Sequence, residues 1–357
     1  KRIMRAARKH PFLGSDQGRG LLMLEIDGLS YWHMQTALAE GAMPTLREMM
    51  DKEGYVLSHV DCGLPSQTSA CQAGIMFGDN YDIPSFRWYD KDKQKLYVSG
   101  HDAPELNGRY STGAGLMAGG SSINNMMTGD AEKSMLTMAN LLSGNPEEKK
   151  RRAEDVYLLM LDPYFFMRTI ARFLGESALD VWQYFKQKQA NVQPRLNRLH
   201  GGYPFIRAAT TVLMRDLAAS LVKLDVLRGS PSIYTTFVGY DEVAHHSGPW
   251  TDDAFQVLKK YDRVVAQIRD VAARKAPRPY EILILSDHGQ SFGATFKQRY
   301  GVDLKAFIEQ HLPHGTTVMQ TAGGDDGSPG IGGMSAELAN AQAQGVGGAA
   351  GQVVVKQ

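Results

Sequence analysis

Three short apolar runs, each halting at an acidic residue, constrain this chain more than any other feature. LLMLEI (21–26) stops at Asp27-Gly28, IYTTFV (233–238) at Gly239-Tyr240-Asp241, and EILIL (281–285) at Ser286-Asp287-His288-Gly289. Each has the length of a strand and none shows the 3.6-residue period of a helix, so they read as buried parallel strands ending in turns. Between the last two, residues 252–274 place Phe255, Leu258, Val264, Val265 and Ile268 at the spacing of one helix face. Residues 30–52 also read as helical, with Pro44 as an interruption. Strands alternating with helices predict an α/β fold, with a mostly parallel central sheet and helices on both faces.

The rest of the 357 residues is organised around that frame. Residues 1–20 form a basic leader, whose first ten positions (KRIMRAARKH) hold five Lys or Arg and no acid. The chain begins at Lys1 without an initiator methionine, which reads as a processed or partial chain. A catalytic domain is expected over 21–312. Within it, residues from about 131 to 228 are mainly helical and amphipathic, broken at Asn145-Pro146, Pro194 and Gly201-Gly202, and read as a helical insertion or cap. Its most apolar part, VYLLMLDPYFFMRTIARFL (156–174), is interrupted by Asp162, Pro163, Arg168 and Arg172. That pattern fits a core or cap helix; the alternative is an interfacial helix on a membrane surface. Residues 323–351 hold ten glycines, so 313–352 reads as a Gly/Ala-rich linker and 353–357 as the start of a truncated strand.

Composition excludes several classes. With 43% hydrophobic residues the chain is neither disordered nor a small disulfide scaffold, and Cys62 and Cys71 are too few for a four-cysteine zinc site. A net charge of +1 predicts no nucleic-acid polymer as partner. No window reaches the 18 apolar residues of a spanning helix. Localisation stays open between membrane-associated and cytoplasmic.

The chemistry gathers at the strand ends. Open α/β sheets bind ligands beyond the carboxyl ends of their strands, where Asp27, Asp241 and Asp287 would converge. Asp241 and His245 are four residues apart in YDEVAHHSGP, hence on one face of a helical turn. Asp287 and His288 are adjacent at a sharp turn. Mixed Asp and His donors suit zinc and, less specifically, manganese or iron. In PSQTSACQAGIMFG (65–78), hydroxyls precede a helix-like run, a position that favours a phosphate or sulfate at a helix N-terminus.

In this order, LLMLEIDG (21–28), PSQTSACQAGIMFG (65–78), DEVAHHSGP (241–249) and LSDHG (285–289) resemble the alkaline phosphatase superfamily, and most closely its type I phosphodiesterase and nucleotide pyrophosphatase branch. The resemblance covers roughly residues 20–300. It implies an alkaline-phosphatase-like fold and two divalent metal ions, zinc or else manganese. Asp27, Asp287, His288 and the nucleophile Thr68 would hold one ion, and Asp241 and His245 the other. Ser66 is the alternative nucleophile, and His246 is read as structural. A small phosphorylated substrate would be hydrolysed, as diester or monoester, through a phospho-threonine intermediate. The alternatives are transfer of the phospho-group to another acceptor, or a non-catalytic membrane-tethered binding domain with an incomplete metal site. Two departures from the pattern stand out. The family's additional histidine for the second metal is expected beyond Gln357, with His314 the weaker candidate. The family's phosphate-binding asparagine is replaced by PSFRWYD (84–90), where Arg87 is the candidate to hold phosphoryl oxygens.

Overall fold

The structure, a computed structural model, describes residues 11, 12, 14, 18–140, 155, 163–291, 293–313, 316 and 318. The first ten leader residues, residues 156–162 of the apolar stretch, His314, nearly all of the 313–352 linker and the 353–357 strand start lie outside the described residues.

The chain opens with β1 (Gly20–Ile26), α1 (Tyr31–Ala39), α2 (Pro44–Glu53) and α3 (Thr68–Phe77). The strands β2 (Arg87–Asp90) and β3 (Lys95–Val98) pair as a hairpin, and α4 (Ala103–Tyr110) follows. Two three-residue strands come next, β4 (Ser121–Ile123) and β5 (Lys133–Met135). Then come α5 (Pro163–Gln189), α6 (Tyr203–Ala208) and α7 (Arg215–Arg228), the last two joined by a π-helical turn, Ala209–Met214. The described chain ends with β6 (Ser232–Phe237), α8 (Gly239–Ser247), α9 (Asp252–Lys275), β7 (Tyr280–Leu285), α10 (Phe296–Tyr300) and α11 (Leu304–Glu309).

Five strands form one wholly parallel sheet in the order β5-β4-β6-β1-β7. The expected α/β architecture is therefore present, and β1 is apolar apart from Glu25 because both its faces are covered. Leu22, Leu24 and Ile26 enter one core with Leu38 of α1, Leu46 of α2, Leu221 of α7, Val243 of α8 and Val265 of α9. Met23 enters a second core on the opposite face, with Ala73 and Met76 of α3 and Leu106 of α4. Burying each Leu or Ile fully contributes about 1.5–3 kcal/mol, so β1 is firmly anchored next to the site it carries.

Pro44 starts a helix instead of interrupting one. It occupies the first turn of α2, where its missing N–H has no helical partner to lose. Asp262 of α9 accepts the N–H groups of Thr45 and Leu46 at 2.9 and 3.2 Å, fixing that helix start against the core. The sequence reading did not include β4, β5 or the β2–β3 hairpin. SSI and KSM are too short and polar to show a period, and only pairing with β5 and β6 makes β4 a strand. The strand β5 lies within the 131–228 segment, and α7 at that segment's end sits in the main core through Leu217, Leu221 and Val222. Helix α5 packs on α6 and on the π-helical turn. Among the described residues, no helix is long and apolar enough to cross a membrane.

Candidate active site

The site lies where β1, β6 and β7 end. Asp27 directly follows β1, Asp241 lies in the first turn of α8 after β6, and Asp287 and His288 follow β7. Parallel pairing in register, with Glu25 opposite both Thr236 and Leu285, brings these three exits to one edge of the sheet. Thr68 is the first residue of α3, capped by the Gln67 side chain, which accepts the Ser69 N–H at 3.1 Å. Its hydroxyl lies 3.4 Å from Asp27 Oδ1 and 3.2 Å from His288 Nε2. His288 Nε2 is 3.5 Å from Asp27 Oδ1 and 3.6 Å from Asp287 Oδ2, while His245 Nε2 meets Asp241 Oδ2 at 3.1 Å. One ligand atom each from Asp27, Asp241 and His288 lie within 4.8 Å of one another, so the closest triple draws on both ligand sets that the resemblance separates.

The electrostatics are those of a cation site. Burial, followed by the charges of Asp287 and Asp241, holds Asp27 well above the usual carboxylate range. Burial likewise raises Asp287. Asp241 goes the other way: burial opposes its ionisation, but the hydrogen bond and charge of His245 outweigh it. Buried Asp287 Oδ2 has no hydrogen-bond partner, an expensive state for a carboxylate oxygen that a metal bond would relieve. Carboxylate oxygens and imidazole nitrogens are donors that zinc and manganese accept, so these residues fit a divalent ion.

Several supporting residues were not among those the sequence singled out. Gln290 donates from Nε2 to the Asp241 carbonyl at 3.0 Å and to its carboxylate, fixing both ends of that residue. Under the site, Glu25 is fully buried and accepts Gln72 Nε2 at 2.9 Å and the hydroxyls of Thr236, at 3.0 Å, and Tyr234. Gln72 Oε1 accepts the Met126 N–H at 2.7 Å, so one polar network ties α3 to β1, β6 and the end of β4. The hint was present in LLMLEI and IYTTFV, where Glu25 and Thr236 interrupt otherwise apolar strands. Asn124, just past β4, holds φ +59°, a left-handed conformation that Asn tolerates, and anchors to the Thr236 carbonyl at 2.7 Å.

Gly28 is required by its surroundings. It sits at φ +71°, and a Cβ there would strike the Asp241 carboxylate. Gly28→Ala is expected to lose about 1–2 kcal/mol from the backbone alone. Displacing Asp241 should also cost about 10²-fold in kcat/KM, as small misplacements at reacting centres do. A thermal melt and steady-state assay on the same preparation check both effects; wild-type turnover would show that Asp241 need not sit where it does.

These residues open into a cavity of about 590 Å³. Asp27, Thr68, Asp241, His245 and His288 line one part, and Phe86, Met126, Leu136, Met138 and Met214 line another. Ser66 also borders it, while its hydroxyl accepts from the Cys62 thiol at 3.4 Å. His246 instead stacks on Tyr203, centroids 3.8 Å apart, and meets the Glu242 carbonyl at 3.0 Å. Arg87 lies on β2 with its guanidinium 5.8 Å from the Phe86 ring; Phe86 lines the cavity and Arg87 does not.

A parallel sheet with helices around it, and Asp, His and Thr side chains at its carboxyl edge, is consistent with an alkaline-phosphatase-like α/β fold, and the family match makes the chain a phosphoric ester hydrolase of that superfamily. Residues 21–344 match the family described as type I phosphodiesterase / nucleotide pyrophosphatase, and the chain belongs to that family. The family is metal-dependent and acts on small phosphorylated substrates such as nucleotides. No match was found among curated proteins or among solved structures.

Proposed function

We propose that the chain hydrolyses a phosphodiester or phosphomonoester through a phospho-threonine intermediate on Thr68. Asp27, Asp287 and His288, with Thr68, would hold one zinc, and Asp241 with His245 a second. The observation that carries this reading is the place of Thr68. Its hydroxyl sits at the positive end of a helix, against Asp27 and His288, on the wall of the cavity. A threonine hydroxyl is a weak nucleophile at neutral pH, and bound divalent ions would lower its pKa and neutralise phosphoryl charge.

The chain's own groups supply the remainder. Thr68 Oγ1 attacks phosphorus as the bond to the leaving oxygen breaks, and water then cleaves the phospho-threonine and restores the hydroxyl. Gln290 keeps Asp241 in place, and the Glu25–Gln72 contact keeps α3, and with it Thr68, in register with β1. Asn124, which lines the cavity, is assigned the contact to a phosphoryl oxygen that was expected of Arg87. Arg87 would reach only a substrate that extends past Phe86. The organic part of the substrate lies against Phe86, Met126, Leu136, Met138 and Met214, an apolar wall in which the methionines adapt to shape.

Elemental analysis of the purified chain, paired with hydrolysis of bis(p-nitrophenyl) phosphate with and without zinc, tests this. About two zincs per chain are expected, in keeping with a two-metal displacement, with turnover that a chelator removes and zinc restores. Asp287→Asn should lower zinc content and abolish that turnover. Unchanged zinc stoichiometry in the variant would remove Asp287 from the site, and a metal-free, inactive wild type would overturn the hydrolase reading.

A further inference from the structure

The chain holds two cysteines in 357 residues, and they bracket Thr68: CGLPSQTSAC runs from Cys62 to Cys71. Residues 54–67 join α2 to α3, and most of their side chains are exposed, those of Val56, Val60 and Leu64 among them. From 56 to 64 this connection makes no backbone–backbone hydrogen bond among the described residues. A connection of this length without internal structure is uncommon in a compact domain.

Two sulfur contacts bring it against α3. Cys62, which is exposed, donates to the Ser66 hydroxyl at 3.4 Å and to the Gly63 carbonyl at 3.7 Å. Cys71 is buried one turn into α3 and faces back to the same segment, its sulfur 4.0 Å from the Pro65 carbonyl. The two thiols thus lie against consecutive residues of one turn, and a side-chain hydrogen bond joins them. Burial pushes the Cys71 thiol up to about 12. A thiol whose anion is so disfavoured attacks slowly and leaves poorly. Cys62 is therefore the sulfur that an external disulfide meets first, and a bond made to Cys71 is hard to reopen.

We propose that Cys62 and Cys71 form an intramolecular disulfide that pins the connecting segment to α3, one turn beyond Thr68. The oxidant is a small-molecule disulfide of the glutathione type. The Cys62 thiolate attacks it, a Cys62–glutathione bond forms, and one glutathione thiolate leaves. Cys71 then gives its proton to solvent and attacks the Cys62 sulfur, which releases the second glutathione. Two protein thiols are oxidised and one external disulfide is reduced to two thiols. Cys62 belongs to the exposed segment and moves to make the bond, while Cys71 is held by α3, so the helix that starts at Thr68 stays in place.

The test uses the full chain, purified under reductant and then incubated with glutathione disulfide. No Lys or Arg lies between Lys52 and Arg87, so one tryptic peptide, 53–87, carries both cysteines and reports their state by mass. That peptide should lose two hydrogens, carry no glutathionyl group and take up no N-ethylmaleimide. Closing a loop of this size removes freedom from the unfolded chain, so the oxidised protein should melt roughly 5 °C above the reduced one. Cys62→Ser changes an exposed position and leaves the core intact; it should abolish both the mass loss and the gain in Tm, with Cys71 still reduced. A glutathionyl group retained on Cys62, a dimer linked through Cys62, two thiols that stay free, or a wild-type Tm indifferent to oxidation would each overturn the proposal. None of these readouts depends on turnover, so their failure is distinct from failure of the hydrolase reading.

Discussion

Thr68→Ala should lower kcat for bis(p-nitrophenyl) phosphate by about 10⁴-fold or more, while the protein melts at an unchanged temperature. The size of the effect follows from the role: with no hydroxyl there is no oxygen to take the phosphoryl group, and the remaining groups can only orient water. The fold should persist because Thr68 is not the residue that caps α3. Gln67 performs that function through the Ser69 N–H, and among the described residues the hydroxyl of Thr68 hydrogen-bonds Asp27 and His288 alone. Alanine is also a good helix residue at that position. Zinc content separates two outcomes. An inactive variant that retains metal supports a nucleophile, and turnover within tenfold of wild type would transfer that role, with Ser66 first in line.

Asp180→Ala should destabilise the protein by about 3–5 kcal/mol, the range for removing one partner of a buried ion pair. For a domain of this size that is a loss of roughly 10 °C in Tm. Asp180 is fully buried on α5, and its Oδ1 accepts Arg198 at 3.0 Å and Arg207 at 2.7 Å, both arginines being fully buried themselves. Without it those guanidinium groups retain Asp253 at 3.1 Å and Glu176 at 3.0 Å, so charge compensation is halved but not lost. The network matters beyond stability, because Arg198 also donates to Ser247 at 2.7 Å, at the end of the helix that carries Asp241 and His245. Calorimetry of the variant checks the first claim. A Tm within about 2 °C of wild type would mean that the arginines find water or other partners on their own.

How far the sequence could be read depended on the range of the forces involved. The strands β1, β6 and β7 and the helix α9 were legible because burial writes a period into consecutive residues. Their carboxyl ends carried the acids, and the spacing of Asp241 and His245 already placed both on α8. The small-residue run that became α3 was legible, but it left Ser66, Thr68 and Ser69 open, and the family resemblance chose Thr68 among them. Arg87 was chosen by its place in the chain; the β2–β3 hairpin sets its guanidinium 5.8 Å from the Phe86 ring, while Asn124, which lines the cavity, follows a strand with no sequence signal.

By itself, the sequence determined the class of fold, and it singled out Asp27, Asp241, His245, Asp287 and His288 as candidates by patterns of a few neighbouring positions, with Thr68 added by the family resemblance. Tertiary structure alone decided that Asp27, Thr68, Asp241, His245 and His288 line one cavity with Asp287 beside His288, and that Gln290 and the buried Glu25 contact this group. Pairing β4 to β6, or Asp180 to two arginines, joins residues far apart in the chain. Such contacts form only when burial brings them together, and burial leaves a period in each element without recording which element it will meet.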